Sequence, residues 1–383
     1  MDTSTAPRLA MVAGEASGDL LASLLLQGLR SRWPGLSAGG IGGPKMQAQG
    51  FDAWWPSHKL SVFGYVDALR HLPELLAIRR ALRQRVLAER PAVFVGIDAP
   101  DFNFALERAL RAQGVKTVHF VCPSIWAWRG ERVKTLAAAA DHVLCLFPFE
   151  PALLAEHGVP ASFVGHPLAD LIPLQPPRAA ARAALGLDDE ATVVALLPGS
   201  RRSEITHIAP PLLQAAQDLL RDRPGLRLVL PVVPGLRPLI DEAIARHAPG
   251  LPVQLLDGRS HEALAACDLT LIASGTATLE AALFKRPMVV VYRLNAFNHW
   301  LMKDKAYLPW FSLPNILLRD LAVPELIQDV ATPQAIADAA RAWLDDGARR
   351  DALHARFTEL HLSLRQDTAQ CASHAIAQVL GQA

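Results

Sequence analysis

Leu271-Ile272-Ala273-Ser274-Gly275-Thr276-Ala277-Thr278-Leu279-Glu280 reads as a strand, a turn of small residues and the opening of a helix. A helix entered this way presents unpaired backbone N–H groups and the positive end of its dipole, which together favour a phosphate. The dipole contributes ~0.3–1 kcal/mol, and ~2 kcal/mol when partly buried. Ser274, Gly275 and Thr276 would supply donors to such a group. Glu280, about one turn further in, stands where a carboxylate can accept two ribose hydroxyls. An ordinary strand-to-helix turn capped by Ser or Thr fits the same residues.

The same rhythm runs outward from this stretch. Val193 to Leu197, Leu226 to Leu230, Val253 to Leu256, Leu269 to Ala273 and Met288 to Val291 are short apolar runs separated by helical patterns. Before them, Leu9 to Ala13, Val93 to Ile97, Val118 to Val121, Val143 to Leu146 and Phe163-Val164 form an earlier series. Apolar runs without alternation are strands covered on both faces, and strand–helix–strand succession implies parallel sheets. Four prolines between Pro167 and Pro177 interrupt the rhythm and read as a linker. The expected architecture is α/β, with two Rossmann-like doubly wound domains facing a central cleft and a helical C-terminal tail. The expected divisions are 1–170, 185–345 and a tail over 346–383 that packs back on the first domain. Ligands in open α/β sheets bind beyond the C-terminal ends of the strands, so the cleft is the expected site.

The chain has 383 residues, 51% hydrophobic and 20% charged, with a formal net charge of +1. It can bury sizeable cores, and no global basic field points to nucleic acid. Cys122, Cys145, Cys267 and Cys371 are widely spaced in apolar surroundings and read as reduced thiols, without a disulfide or zinc pattern. Met1-Asp2-Thr3-Ser4-Thr5 lacks the basic segment and apolar run of a secretory signal, and no apolar run approaches the ~20 residues that span a bilayer. A soluble or peripherally bound protein is expected.

Further segments carry candidate chemistry. In Leu197-Pro198-Gly199-Ser200-Arg201 a strand ends, glycine permits close backbone approach, and Arg201 can fork onto a diphosphate. Gly14-Glu15-Ala16-Ser17-Gly18-Asp19 lacks the GxGxxG spacing of a dinucleotide fingerprint; its Glu15, Ser17 and Asp19 suit sugar hydroxyls. Gly39-Gly40-Ile41-Gly42-Gly43-Pro44 reads as a flexible loop facing the cleft. In Gly96-Ile97-Asp98-Ala99-Pro100-Asp101-Phe102-Asn103 a buried strand ends on a carboxylate. Asp98 there could take a proton from an attacking hydroxyl, with Asn103 joining Glu15, Ser17 and Asp19 as acceptor-side residues facing the cleft; a helix-capping role also fits Asp98. His119 and His166 are lesser candidate bases. Between Leu60 and Val86, a helical stripe of Leu75, Ile78, Leu82 and Val86 should face a core. Val62, Phe63, Val66, Leu69, Leu72 and Leu76 fall outside that stripe among arginines, a pattern of an anionic-membrane patch or of a dimer interface.

Taken together these motifs are specific. With Pro123-Ser124-Ile125-Trp126-Ala127-Trp128-Arg129, Gly165-His166-Pro167-Leu168 and Leu313-Pro314-Asn315, they resemble the lipid-A-disaccharide synthase family of GT-B glycosyltransferases, from about residue 10 to 330. Cys122 stands where serine would be expected. The resemblance implies an inverting transfer from UDP-2,3-diacylglucosamine to the 6-hydroxyl of 2,3-diacylglucosamine 1-phosphate (lipid X), giving lipid A disaccharide 1-phosphate and UDP. It implies Asp98 as general base, and Arg201, Ser274, Gly275, Thr276, Glu280, Asn315 and Gln328 on the UDP donor. It implies no metal or other cofactor, a homodimer, and a cytoplasmic location at the inner membrane. Rival readings are a UDP-sugar 2-epimerase, which wants acid and base groups on both sugar faces, and a non-enzymatic sugar-lipid binder. A dehydrogenase is disfavoured by the missing GxGxxG.

Overall fold

The computed structural model describes residues 6–60, 65–127, 129–293 and 307–382, with residues 16 and 65–71 described by backbone alone. Two compact units emerge: Met1–Asp170 with Leu364–Ala383, and Leu171–Ser363.

The first unit holds a parallel sheet of β1 (Arg8–Ala13), β2 (Ser37–Gly42), β3 (Asp52–Pro56), β4 (Val93–Ile97), β5 (Lys116–Phe120), β6 (His142–Cys145) and β7 (Ala161–Phe163). Their order is β3-β2-β1-β4-β5-β6-β7. The second unit holds β8 (Val193–Leu197), β9 (Arg227–Val232), β10 (Val253–Asp257), β11 (Leu269–Ala273), β12 (Met288–Tyr292) and β13 (Glu325–Ile327), ordered β10-β9-β8-β11-β12-β13. Every pairing is parallel. In both sheets the winding reverses beside the first strand, between β1 and β4 and between β8 and β11. These reversals are where crevices open beyond the strand ends. Asp98 follows β4. Arg201 follows β8, and Ser274 follows β11. The fold therefore delivers the principal candidate residues to its two switch points.

Central strands are apolar on both sides because helices cover both faces. All five residues of β4 and of β8 are buried. On one face of the first sheet, Ile78, Leu82 and Val86 from the helix Tyr65–Glu89 pack with Val12, Phe94 and Leu110. Three of the four positions of the expected stripe thus lie in a core, while Leu75 is only half-buried and lies outside it. Cys122, Cys145 and Cys267 are buried free thiols.

Two expectations need correction. The glycines from Gly39 to Gly42 belong to buried strand β2, not to a loop. Glycine is needed there for close approach: a Cβ on Gly40, at φ +147°, would lie 2.0 Å from the Met11 carbonyl oxygen, and one on Gly39 would meet the Trp54 ring at 2.7 Å. The tail is also divided between the two units. Helix Gly347–Leu364 falls in the second unit but for its last residue, burying Phe357 and Leu353. Only the following helix, Thr368–Leu380, belongs to the first. The Asp170 carboxylate accepts from the N–H groups of Asp367 and Thr368, capping that helix. Gly28 admits it: a Cβ there would come within 2.1 Å of the Ala369 carbonyl oxygen.

Candidate active site

The second unit carries a pocket of about 680 Å³ at the β8/β11 switch point, with Arg201, Glu204, Ser274, Thr276, Glu280 and Tyr292 among its lining residues. Its size and mixed lining suit a nucleotide-sized ligand.

Arg201 precedes helix Arg202–Asp222 in an extended conformation, φ −117°. Glu204, one turn in, folds back so that its Oε2 accepts from the N–H groups of Ser200 (2.8 Å) and Arg201 (3.2 Å). Gly199, at φ +118°, makes room; a Cβ would lie 2.5 Å from Glu204. The amides of Ser200 and Arg201 are thus committed to Glu204, while the Arg201 guanidinium lines the pocket as a group suited to an anion. That side chain is 62% exposed, with only a loose 3.7 Å approach to Glu204. Glu204 escaped the sequence reading, although its position three residues after the N-cap is the spacing of a capping box.

Across the pocket, Gly275 takes φ +154° and opens helix Thr276–Leu283. The Ser274 N–H donates to the Val291 carbonyl, and its Oγ donates to the Phe311 carbonyl at 3.1 Å. The Ser274 hydroxyl proton is therefore directed at the protein. Thr276 is exposed, and Glu280, 21% exposed, lies 3.4 Å from His261 Nε2. Burial, reinforced by Glu204, holds the Tyr292 phenol above its ordinary pKa.

Asn315 and Gln328 were expected on the donor, and neither is among the residues lining this pocket. Asn315 is fully buried, and its amide is taken up internally. Nδ2 donates to the Val323 carbonyl and to Glu325 Oε1, both at 2.8 Å, while Oδ1 accepts from the Val323 N–H at 2.9 Å. Gln328 follows β13 at φ 55° and opens a 3₁₀ turn.

In the first unit, Asp98 and Ala99 both occupy the left-handed region, at φ 50° and 45°. Such conformations cost of order 1–3 kcal/mol each and persist where surroundings over-determine them. Here the Asp98 N–H donates to the Phe120 carbonyl at 2.9 Å. Asn103, entirely buried in helix Pro100–Arg111, donates from Nδ2 to the Asp98 carbonyl at 2.8 Å. Asn103 is therefore a brace for the turn, not a cleft-facing group as expected. Glu107, one turn on, meets His119 Nδ1 at 2.8 Å, with both side chains fully buried. His119 cannot serve as an exposed base. His166 is buried too, and burial pushes its pKa down to about 4.

Of the acidic loop, Glu15 and Ser17 are exposed at the start of helix Ala16–Arg32. Asp19 is not available to a sugar. It is 3% exposed and accepts from the N–H groups of Gly43, Lys45 and Met46, capping the short helix Pro44–Ala48. Leu72 and Leu76 are exposed on the long helix at 45% and 44%. Val62 and Phe63 lie outside the described residues, as do the side chains of Val66 and Leu69. Among the described residues, no group of three or more His, Cys, Asp or Glu side chains is placed to hold a metal ion, and no helix is long and apolar enough to cross a membrane.

Glu150 was also missed. Its carboxyl, 1% exposed, accepts from Trp126 Nε1 and from the Phe147 N–H, both at 3.0 Å, and so pins the Trp126 loop after β5. Burial raises its pKa to about 7 against those donors.

Two doubly wound parallel sheets, each with candidate residues at its switch point, define a two-Rossmann α/β enzyme of the GT-B type. The fold is similar to that of a UDP-GlcNAc 2-epimerase from Neisseria meningitidis bound to UDP-GlcNAc (TM-score 0.66, 12% identity, 98% of this chain and 100% of that one). It is similar as well to CalG4, the calicheamicin glycosyltransferase (TM-score 0.62, 18% identity, 98% of each chain). The fold alone does not separate epimerase from transferase. Sequence does: residues 9–379 match the family model described as lipid-A-disaccharide synthetase. Curated relatives named lipid-A-disaccharide synthase include those of Verminephrobacter eiseniae, 59% identical over 97% of both chains, and Albidiferax ferrireducens, 55% identical over 97% of both. The chain belongs to the lipid-A-disaccharide synthase family and is a glycosyltransferase of lipid A biosynthesis.

Proposed function

We propose that the chain transfers 2,3-diacylglucosamine from its UDP ester to the 6-hydroxyl of 2,3-diacylglucosamine 1-phosphate. The observation that carries the donor half is the meeting of Arg201, the Ser274–Thr276 turn and Glu280 in one pocket. Arg201 and the helix start hold the diphosphate, and Glu280 accepts from the ribose. The UDP-GlcNAc-bound epimerase of the same fold supports a UDP-sugar as ligand.

The acceptor oxygen bonds to the anomeric carbon as the bond from that carbon to the diphosphate oxygen breaks. The electron pair leaves with UDP, the anomeric centre inverts, and the hydroxyl proton passes to the Asp98 carboxylate. Protein donors, without a metal, stabilise the leaving charge. Exposed Glu15 and Ser17 belong to the acceptor side of this reading. Acylated substrates call for docking at the membrane surface, since each CH₂ drawn into water costs ~0.8 kcal/mol. Leu72 and Leu76, exposed on an arginine-rich helix, support an anionic inner-membrane surface as the partner. Homodimer assembly is part of the same reading and is checked by sedimentation.

The test incubates the protein with both acylated substrates in EDTA and follows products by mass spectrometry. Disaccharide 1-phosphate and UDP in equal amounts are expected. An epimerised UDP-sugar, or no product with substrates bound, overturns the proposal.

A further inference from the structure

Glu325 begins β13, opposite Val290 of β12, and its carboxylate gathers an unusual number of donors. Oε1 accepts from the Ser312 N–H (2.8 Å), the Ser312 hydroxyl (2.6 Å) and Asn315 Nδ2 (2.8 Å). Oε2 accepts from the Phe311 N–H at 2.9 Å. Two consecutive main-chain amides, a hydroxyl and a buried carboxamide thus converge on one side chain. Asn315 extends the clamp, since its amide also ties down both polar backbone groups of Val323.

The held segment reaches the pocket directly. The carbonyl of Phe311, whose N–H is fixed by Glu325, accepts the hydroxyl proton of Ser274. The Phe311 ring stacks on pocket-lining Tyr292, at 6.5 Å between centroids and 27° between planes. Ser274 is also held through its N–H by Val291, next to Val290 on β12. The wall that carries the Ser274–Thr276 turn is therefore tied to β13 through one carboxylate.

We infer that Glu325 is a positioning residue for the diphosphate: by fixing the Phe311 carbonyl it sets the Ser274 turn before a ligand arrives. This rests on the reading of the pocket as a UDP site. Preorganisation of this kind strengthens binding by removing the cost of ordering the site. The sign of the effect is diagnostic. A carboxylate acting only through its charge would repel a diphosphate, so neutralising it would tighten binding. A carboxylate acting through the clamp gives the opposite result: the amide of Glu325→Gln turns an N–H₂ toward donors, so the Phe311 segment loosens and binding weakens.

The experiment measures UDP affinity of the full chain by calorimetry for wild type, Glu325→Gln, Ser274→Ala and the double variant, with thermal unfolding as a folding control. Glu325→Gln is expected to bind UDP about tenfold more weakly while remaining folded. Its effect should largely vanish in the Ser274→Ala background, since both changes break the same link. Unchanged or tighter binding by folded Glu325→Gln overturns the inference, as does full additivity with Ser274→Ala. Should Glu325→Gln fail to fold, Ser312→Ala, which deletes only the 2.6 Å bond, decides: a few-fold loss supports the clamp and unchanged affinity overturns it. Wild-type protein that does not bind UDP overturns the donor-site reading itself, a result distinct from all of these.

Discussion

Asn103 Nδ2 donates to the main-chain carbonyl of Asp98 at 2.8 Å, bracing a turn in which two consecutive residues with side chains hold positive φ. Glycine at 96 is part of the same arrangement. A Cβ there would lie 2.0 Å from Glu107 Oε1 and 3.1 Å from Asn103 Cβ, so its absence lets the helix carrying both side chains close on β4. The strained turn is thus over-determined from the helix behind it, and the Asp98 side chain stands at the first switch point, partly exposed.

Asp98→Asn keeps the shape of that side chain and removes its ability to take a proton. General-base catalysis is typically worth ~10²–10⁴ in rate, so turnover should fall at least about 100-fold. UDP affinity should be unchanged, because the donor residues belong to the other unit. Product formation by mass spectrometry together with UDP calorimetry checks both halves. Normal turnover in the variant removes Asp98 as the base.

Arg201→Ala removes an exposed guanidinium from the pocket lining, in a loop where Glu204 has already taken the amides of Ser200 and Arg201. A charge-assisted hydrogen bond is worth about 1.5–3 kcal/mol, so UDP should bind roughly 10–100-fold more weakly. Arg201→Lys should recover only part of the loss, lacking the planar fork. Unchanged affinity in the alanine variant moves the diphosphate elsewhere.

Strand rhythm was legible because β4, β8 and β11 are covered on both faces and read as continuous apolar runs. Strand β2 was not, because its glycines answer to neighbours distant in sequence, Met11 and Trp54. The site divides the same way. Arg201, Ser274 and Glu280 could be placed because each lies a fixed distance past a strand end. Asp19, Asn103 and Asn315 were recognisable as polar residues inside motifs, yet their tasks are set by partners 26, 5 and 10 residues away. Glu325 and Glu150 carried no local signal, since each matters through a loop folded against it.

Leu72→Ser with Leu76→Ser tests the membrane surface. Both leucines are exposed, so the fold should lose little stability, and sedimentation with anionic phospholipid vesicles should fall several-fold. Turnover on detergent-dispersed substrate should persist. Undiminished vesicle binding would assign the leucines to another contact, such as a dimer interface.

Glu150 gives a pH-dependent prediction in stability. Its folded pKa of about 7 lies above the ordinary 4.5, chiefly because of burial. Between those values the folded protein keeps a proton that the unfolded chain has released, so this group lowers stability as pH rises from about 4.5 to about 7. His166 works the other way. Its folded pKa of about 4 lies below the ordinary 6.5, so stability is lost as pH falls through that window. The two slopes oppose each other where they overlap, and wild type should show a nearly flat profile there from these groups. Glu150→Gln mimics the neutral acid and removes one slope. Urea unfolding at several pH values should then show the variant gaining on wild type from pH 4.5 upward, with the difference levelling above pH 7. A difference that does not change with pH would mean that Glu150 stays ionised in the fold, held so by Trp126 and the Phe147 amide.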